Sequence, residues 1–408
     1  MDLAFLIAPM HGHVNPTLPV ARDLVARGHR VTYWLTAQFR DAVEATGASF
    51  QEIRTPSPDP RLPDDTDALV TLALIPARLA AAAVQVLPGV LDGVRALGPD
   101  TVVVYDQLCV WGRLVAEVAG VPAAMLCTTY ASNGHFSFLA GPHSRTVPRI
   151  PAALRAFDDD LALLAQRHAT PPLSLPDLFF HAEPVTVVFT IREFHPAVDT
   201  FDDRYVFVGP TVTGDGPSSV DPAGNLVYVS LGTVFNDWPE LLPICGAAFD
   251  DGAWQVVVST GGRAVPPAPA HLTVVRHAPQ VELLARAAAF VTHGGMGSVM
   301  EALHQGVPMV VIPQTPEQAV TAEQVVDLGL GVRLDRATTT AATLRAAVQR
   351  VAHAGGYRRQ VARMRDQVRS AGGARAAADA LERRATGADM SARGTGTVQR
   401  RASGAVQA

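Results

Sequence analysis

Apolar residues in this chain come in short unbroken blocks, separated by stretches that are polar or helically spaced. Residues 3–9, 100–105, 185–190, 205–208 and 225–231 are such blocks, and others centre on Gln255, Thr273, Phe290, Val310 and Val332. Blocks of this length, rich in Val, Ile and aromatic side chains, are strands buried on both faces. The N-terminus shows the pattern first. A strand over 3–9 leads into a loop over 11–16, then a helix over 18–26 closed by Gly28, then a strand over 30–36. Strands alternating with helices predict parallel sheets covered by helices, an α/β class. Residues 210–224 are rich in Gly, Pro, Ser and Asp and lack apolar periodicity, as an interdomain linker does. The pattern then restarts. It predicts two Rossmann-like domains facing a cleft, over 1–209 and 225–383, the second ending in Ala/Arg-rich helices. Residues 384–408 are small, polar and aperiodic, the composition of a disordered tail.

Composition narrows the function classes. The 408 residues are 48% hydrophobic, enough for two large cores. Net charge is −5 without a basic block, which counts against nucleic acid as a partner; each of the 33 Lys and Arg positions is Arg. Three cysteines, Cys109, Cys127 and Cys245, show no zinc or redox spacing and fit small buried residues in a reducing, cytoplasmic compartment. The acidic second residue and the lack of a basic n-region mark the start as a strand rather than a signal peptide. Residues 69–90 are weakly charged but carry Pro76, Arg78 and Pro88. They predict a surface or pocket helix rather than stable membrane insertion.

The richest chemistry lies between His277 and Gln318. The apolar run 287–292 ends in His293, Gly294, Gly295, Met296, Gly297 and Ser298, where a helical pattern begins; a second run, 308–313, ends in Thr315, Pro316, Glu317 and Gln318. A strand, a glycine turn and a helix present backbone N–H groups and a positive helix end to a phosphate. Without a ligand, the same glycines would serve a tight turn. Ser298 and Glu301 also have capping-box spacing, and Thr315 to Gln318 reads as an N-cap, a Pro at N1 and a capping Gln. No GxGxxG follows the first strand, which counts against a dinucleotide oxidoreductase.

These residues carry a resemblance. His277, Ala278, Pro279 and Gln280, then His293 through Ser298 to Glu301, then Glu317 and Gln318, follow in order the signature of the UDP-glycosyltransferases of glycosyltransferase family 1. Gly12, His13, Val14, Asn15 and Pro16 match its N-terminal element, and Ser230, Leu231, Gly232 and Thr233 a further one. Residues 1 to 385 resemble the family, most of all its bacterial macrolide and natural-product glucosyltransferases. The resemblance implies the GT-B fold, with the acceptor in the N-terminal domain and a UDP-sugar or dTDP-sugar in the C-terminal one. It implies no further cofactor and no metal, and a small-molecule acceptor. It also implies a monomer or homodimer.

The implied roles fall residue by residue. His293, Gly295, Gly297 and Ser298 would hold the diphosphate, with Ser230, Gly232 and Thr233 nearby. Glu301 would bind the ribose, and Glu317 and Gln318 the transferred sugar. His277 would face the base, and Pro279 and Gln280 would bind the donor. His277 departs from the family's frequent Trp, which leaves UDP and dTDP both open. His13 would be the base and Asp106 its orienting carboxylate. Trp111, Phe136, Phe138, Phe179 and Phe180 are candidate acceptor walls. Rival expectations are a sugar-nucleotide epimerase on the same fold and a non-catalytic activator of another transferase.

Overall fold

The computed structural model describes residues 1–55, 68–139, 141–170, 173–212, 224–233, 236, 238–265 and 267–385. Seven parallel strands form the first sheet. They are β1 (Asp2–Leu6), β2 (Arg30–Leu35), β3 (Ser49–Glu52), β4 (Val102–Asp106), β5 (Ala123–Cys127), β6 (Thr186–Val188) and β7 (Tyr205–Phe207), in the spatial order β3-β2-β1-β4-β5-β6-β7. Six parallel strands form the second. They are β8 (Leu226–Ser230), β9 (Gln255–Ser259), β10 (Leu272–Val275), β11 (Ala289–Thr292), β12 (Met309–Val311) and β13 (Gly331–Arg333), in the order β10-β9-β8-β11-β12-β13. Every residue of β4, β5, β8, β11 and β12 is buried, which is why these segments read as unbroken apolar runs.

Strand order reverses once in each sheet, between β1 and β4 and between β8 and β11. At such a switch point the connections leave to opposite sides and open a crevice beyond the carboxyl ends of the strands. His13 follows β1 and Asp106 ends β4. Ser230 ends β8 and His293 follows β11. Both halves of the expected site therefore lie at switch points.

Four expectations need correction or completion. The segment 11–16 is not all loop, since His11–Val14 forms a single helical turn. Strands β3 and β5 were not anticipated. The last helix, Gly373–Ala385, does not stay with the second domain. Its Ala377, Ala378, Ala380 and Leu381 are fully buried in the core under β1, β2 and β4, against the helix Thr17–Ala26. It also carries residues 384 and 385, which were assigned to the tail. Most of the linker, 213–223, and the tail from 386 lie outside the described residues.

The apolar segment near residue 69 belongs to a helix, Ala68–Leu97, with Pro76 and Pro88 inside it. By length and composition it could cross a membrane. Here Leu79, Ala80, Ala83, Leu87 and Val94 are buried, and the helix packs on Val110–Ala119 and Pro151–His168.

Candidate active site

His13 sits in the short turn after β1, half-buried, with Nδ1 2.7 Å from Oδ2 of Asp106, 93 residues away in sequence. Asp106 is fully buried, and its Oδ1 accepts the Leu108 N–H at 2.9 Å. A carboxylate only accepts, so it fixes the proton of the neutral ring on Nδ1 and leaves Nε2 with its lone pair. Burial alone would lower the imidazole pKa. The charge and hydrogen bond of Asp106, with the charge of Glu317 behind them, outweigh burial and raise it above the ordinary value. The result is an oriented imidazole whose base strength is increased by its partners.

A glycine-lined turn forms the other half of the site. Gly232 has φ +80°, and a Cβ there would lie 2.7 Å from Cε1 of His293; a Cβ on Gly295 would overlap Nε2 of the same ring. The two glycines thus let two backbone segments close on one imidazole. Burial pushes the His293 pKa down to about 4, against a hydrogen bond to the Ser230 backbone, so the ring is neutral near pH 7. The N-terminus of the ten-residue helix Met296–Gln305 supplies positive potential at this turn.

The structure removes the capping-box reading of Glu301. Gly295 is the N-cap of that helix, so Ser298 lies inside the first turn and cannot form a capping box with Glu301. Instead Gln280 Nε2 donates to Glu301 Oε2 at 2.6 Å and to Ser298 Oγ at 3.1 Å, while Tyr228 OH donates to Gln280 Oε1 at 3.2 Å. Burial raises the Glu301 pKa, and the Gln280 hydrogen bond opposes this. Sequence reasoning missed Tyr228, which is stacked on Phe290 at 5.2 Å. Its place on β8, two residues before Ser230, was the available signal.

The helix Pro316–Asp327 begins as expected, with Thr315 as N-cap and Pro316 first. The capping Gln does not reach back to Thr315. Gln318 Oε1 instead accepts the Gln314 N–H at 2.8 Å. Glu317 points across the cleft, where Thr129 Oγ1 donates to its Oε1 at 2.5 Å. Tyr130 OH donates to Thr321 Oγ1 at 3.2 Å, and Thr128 Oγ1 lies 3.0 Å from His13 Nδ1. Three successive residues after β5 therefore touch the His13 dyad and the donor-side helix together. None of the three was anticipated, because a Thr pair at a strand end has no distinctive spacing.

The remaining candidates are spread out. His277 is exposed and rests against Gly262, while Pro279 caps the helix Gln280–Leu284. Thr233 and Gly297 are exposed. Phe136 and Phe138 are half-buried against the core of the second sheet, Phe136 with its ring 5.8 Å from that of Tyr130. Trp111 corrects an expectation: it is fully buried in the core beside Tyr105 and Leu114, so it is a packing residue and not an acceptor wall. Phe180 is exposed, and the side chain of Phe179 lies outside the described residues. Among the described residues, no three His, Cys, Asp or Glu side chains cluster as metal ligands would.

Residues 251–382 match the family described as erythromycin biosynthesis protein CIII-like, C-terminal domain. The chain is 36% identical over 392 residues to NDP-glycosyltransferase YjiC of Bacillus licheniformis, covering 93% of this chain and 96% of that protein. This chain belongs to the natural-product glycosyltransferases of glycosyltransferase family 1. It is 33% identical over 412 residues to demethyllactenocin mycarosyltransferase of Streptomyces fradiae, covering 93% and 86% of the two chains. The crystal structure of CalG4, the calicheamicin glycosyltransferase, superposes with a TM-score of 0.81 at 33% identity, covering 97% and 99%. As a family 1 glycosyltransferase the chain is an enzyme with the GT-B fold.

Proposed function

We propose that the chain transfers a hexose, glucose foremost, from a UDP-sugar to a hydroxyl of a lipophilic small molecule such as a macrolide, polyketide or phenol. The transfer inverts the anomeric centre and uses no metal or cofactor beyond the donor. One observation carries this reading: the oriented His13–Asp106 pair at the first sheet's switch point is joined through Thr128 and Thr129 to Glu317, which follows β12 beside the second sheet's switch point. An acceptor oxygen and a donor sugar would meet between them. Supporting the natural-product acceptor, one relative is named for demethyllactenocin and one solved structure for calicheamicin.

In this mechanism the acceptor oxygen forms a bond to the anomeric carbon as the bond from that carbon to the diphosphate oxygen breaks. The electron pair leaves with the diphosphate, which the helix N-terminus at Met296 and the neutral His293 stabilise. The acceptor proton passes to Nε2 of His13, and Asp106 stabilises the imidazolium that results. Glu301, held by Gln280, binds the ribose, and closure of the cleft excludes water.

The decisive variant is His13→Ala. Transfer is expected to fall by about 10²–10⁴-fold while UDP affinity stays within about twofold, because the base touches no part of the nucleotide. Equal loss of both would remove His13 from the base role. A second reading, a dTDP-deoxysugar donor, draws on His277, an exposed imidazole where the family often has Trp. Comparing UDP and dTDP affinities separates the two.

A further inference from the structure

Thr129 makes the shortest polar contact across the cleft that involves a sugar-site residue, and it is buried there. Its hydroxyl occupies Oε1 of Glu317. The neighbouring amide is committed as well, since Gln318 Oε1 takes the Gln314 N–H. Among the described residues, Oε2 of Glu317 and Nε2 of Gln318 have no hydrogen-bond partner. A carboxylate oxygen requires a donor, and an amide nitrogen requires an acceptor. Adjacent sugar hydroxyls supply both, one through its O–H and one through its oxygen. Burial raises the Glu317 pKa against the Thr129 hydrogen bond and the charge of His13.

We propose that Thr129 is a specificity-determining positioning residue, which holds one oxygen of Glu317 so that the other, with the Gln318 amide, selects a donor hexose bearing adjacent free hydroxyls over its deoxy analogues. The inference rests on the assignment of Glu317 and Gln318 to the transferred sugar. Its reach goes further, because it places sugar choice partly in the N-terminal domain. With Oε1 released, the carboxylate can rotate and accept different hydroxyl patterns, so selectivity falls before nucleotide affinity does. The position next to Thr128 also ties the carboxylate's placement to that of the base.

The test compares wild type, Thr129→Val and Thr129→Ser. For each, kcat/KM is measured with UDP-glucose and with its 3-deoxy and 4-deoxy analogues, along with the Kd for UDP and the melting temperature. Wild type should prefer UDP-glucose to at least one analogue by about 100-fold or more, since a site built to bond a hydroxyl strongly rejects its absence. Thr129→Val should shrink that ratio about tenfold with UDP affinity unchanged and the melting temperature lowered by only a few degrees, and Thr129→Ser should restore both. An unchanged ratio in Thr129→Val overturns the proposal, as does a parallel loss of UDP affinity. A wild-type enzyme that binds UDP but shows no preference overturns the proposal alone. Failure to bind any nucleotide sugar overturns the functional reading beneath it.

Discussion

His13 and Asp106 act as one unit, and pH exposes it. The His13 pKa lies above the ordinary imidazole value because Asp106, and then Glu317, outweigh burial. In the proposed role His13 works as a base when neutral, so kcat/KM should fall as pH drops through a midpoint above about 6.5. Asp106→Asn should move that midpoint down and lower the plateau rate; an unmoved acid limb would mean another group sets it. The same pair bears on stability with a fixed sign. A raised folded-state pKa contributes stability that is fully present below about pH 6.5 and is lost as pH rises through the folded value. Denaturant midpoints of wild type and Asp106→Asn should therefore converge at high pH. Residue types in order made much of this legible, since the Gly12-His13 motif selected His13 over His11. Thr129 and Tyr228 stayed invisible, because each matters only through a side chain brought from the other domain or a distant loop. Trp111 misled because an aromatic residue near a site reads alike whether it lines the site or packs behind it.

At the scale of elements, the turn from β11 into the helix Met296–Gln305 makes the sharpest prediction. A Cβ on Gly297 would meet nothing within 4 Å, whereas one on Gly295 would overlap His293. Gly297→Ala should keep or slightly raise the melting temperature, since Ala exceeds Gly in a helix by up to about 1 kcal/mol. It should nonetheless weaken UDP binding severalfold, because the added methyl enters space the diphosphate would use. Retained UDP affinity in Gly297→Ala would place the diphosphate elsewhere. Gly295→Ala should lose both stability and affinity. Sequence located this turn but put the start of its helix three residues late, which produced the capping-box alternative for Glu301. Glycine can end a turn and begin a helix with the same spacing, and only backbone geometry separates the two. Strand β5, Ala-Ala-Met-Leu-Cys, was missed because a short run of small apolar residues fits a strand or a helix equally.

For the whole molecule, the two-sheet plan followed from alternating strands and helices, but the crossing of Gly373–Ala385 back to the first sheet did not. An amphipathic pattern shows that a helix has a buried face without naming the sheet it covers. Leu381 is fully buried in the N-terminal core, so Leu381→Ala should cost about 2–5 kcal/mol and destabilise that domain first. Arg27, paired at 2.6 Å with Asp379 on the same helix, is a partly exposed contact, and Arg27→Ala should cost no more than about 1 kcal/mol. Urea unfolding of both variants checks this order. The helix thus fastens the C-terminal end of the chain to the N-terminal domain, and Thr129 with Glu317 bridges the two domains at the cleft. The central claim is that this cleft holds a nucleotide sugar, and the most direct measurement is thermal unfolding with UDP, UDP-glucose, dTDP, dTDP-glucose and NAD at equal concentration. A ligand at 100 times its Kd adds about 2.7 kcal/mol, which is readily seen. The account predicts a selective rise in melting temperature with UDP and UDP-glucose. A rise with NAD alone, or with none of the five, would contradict it.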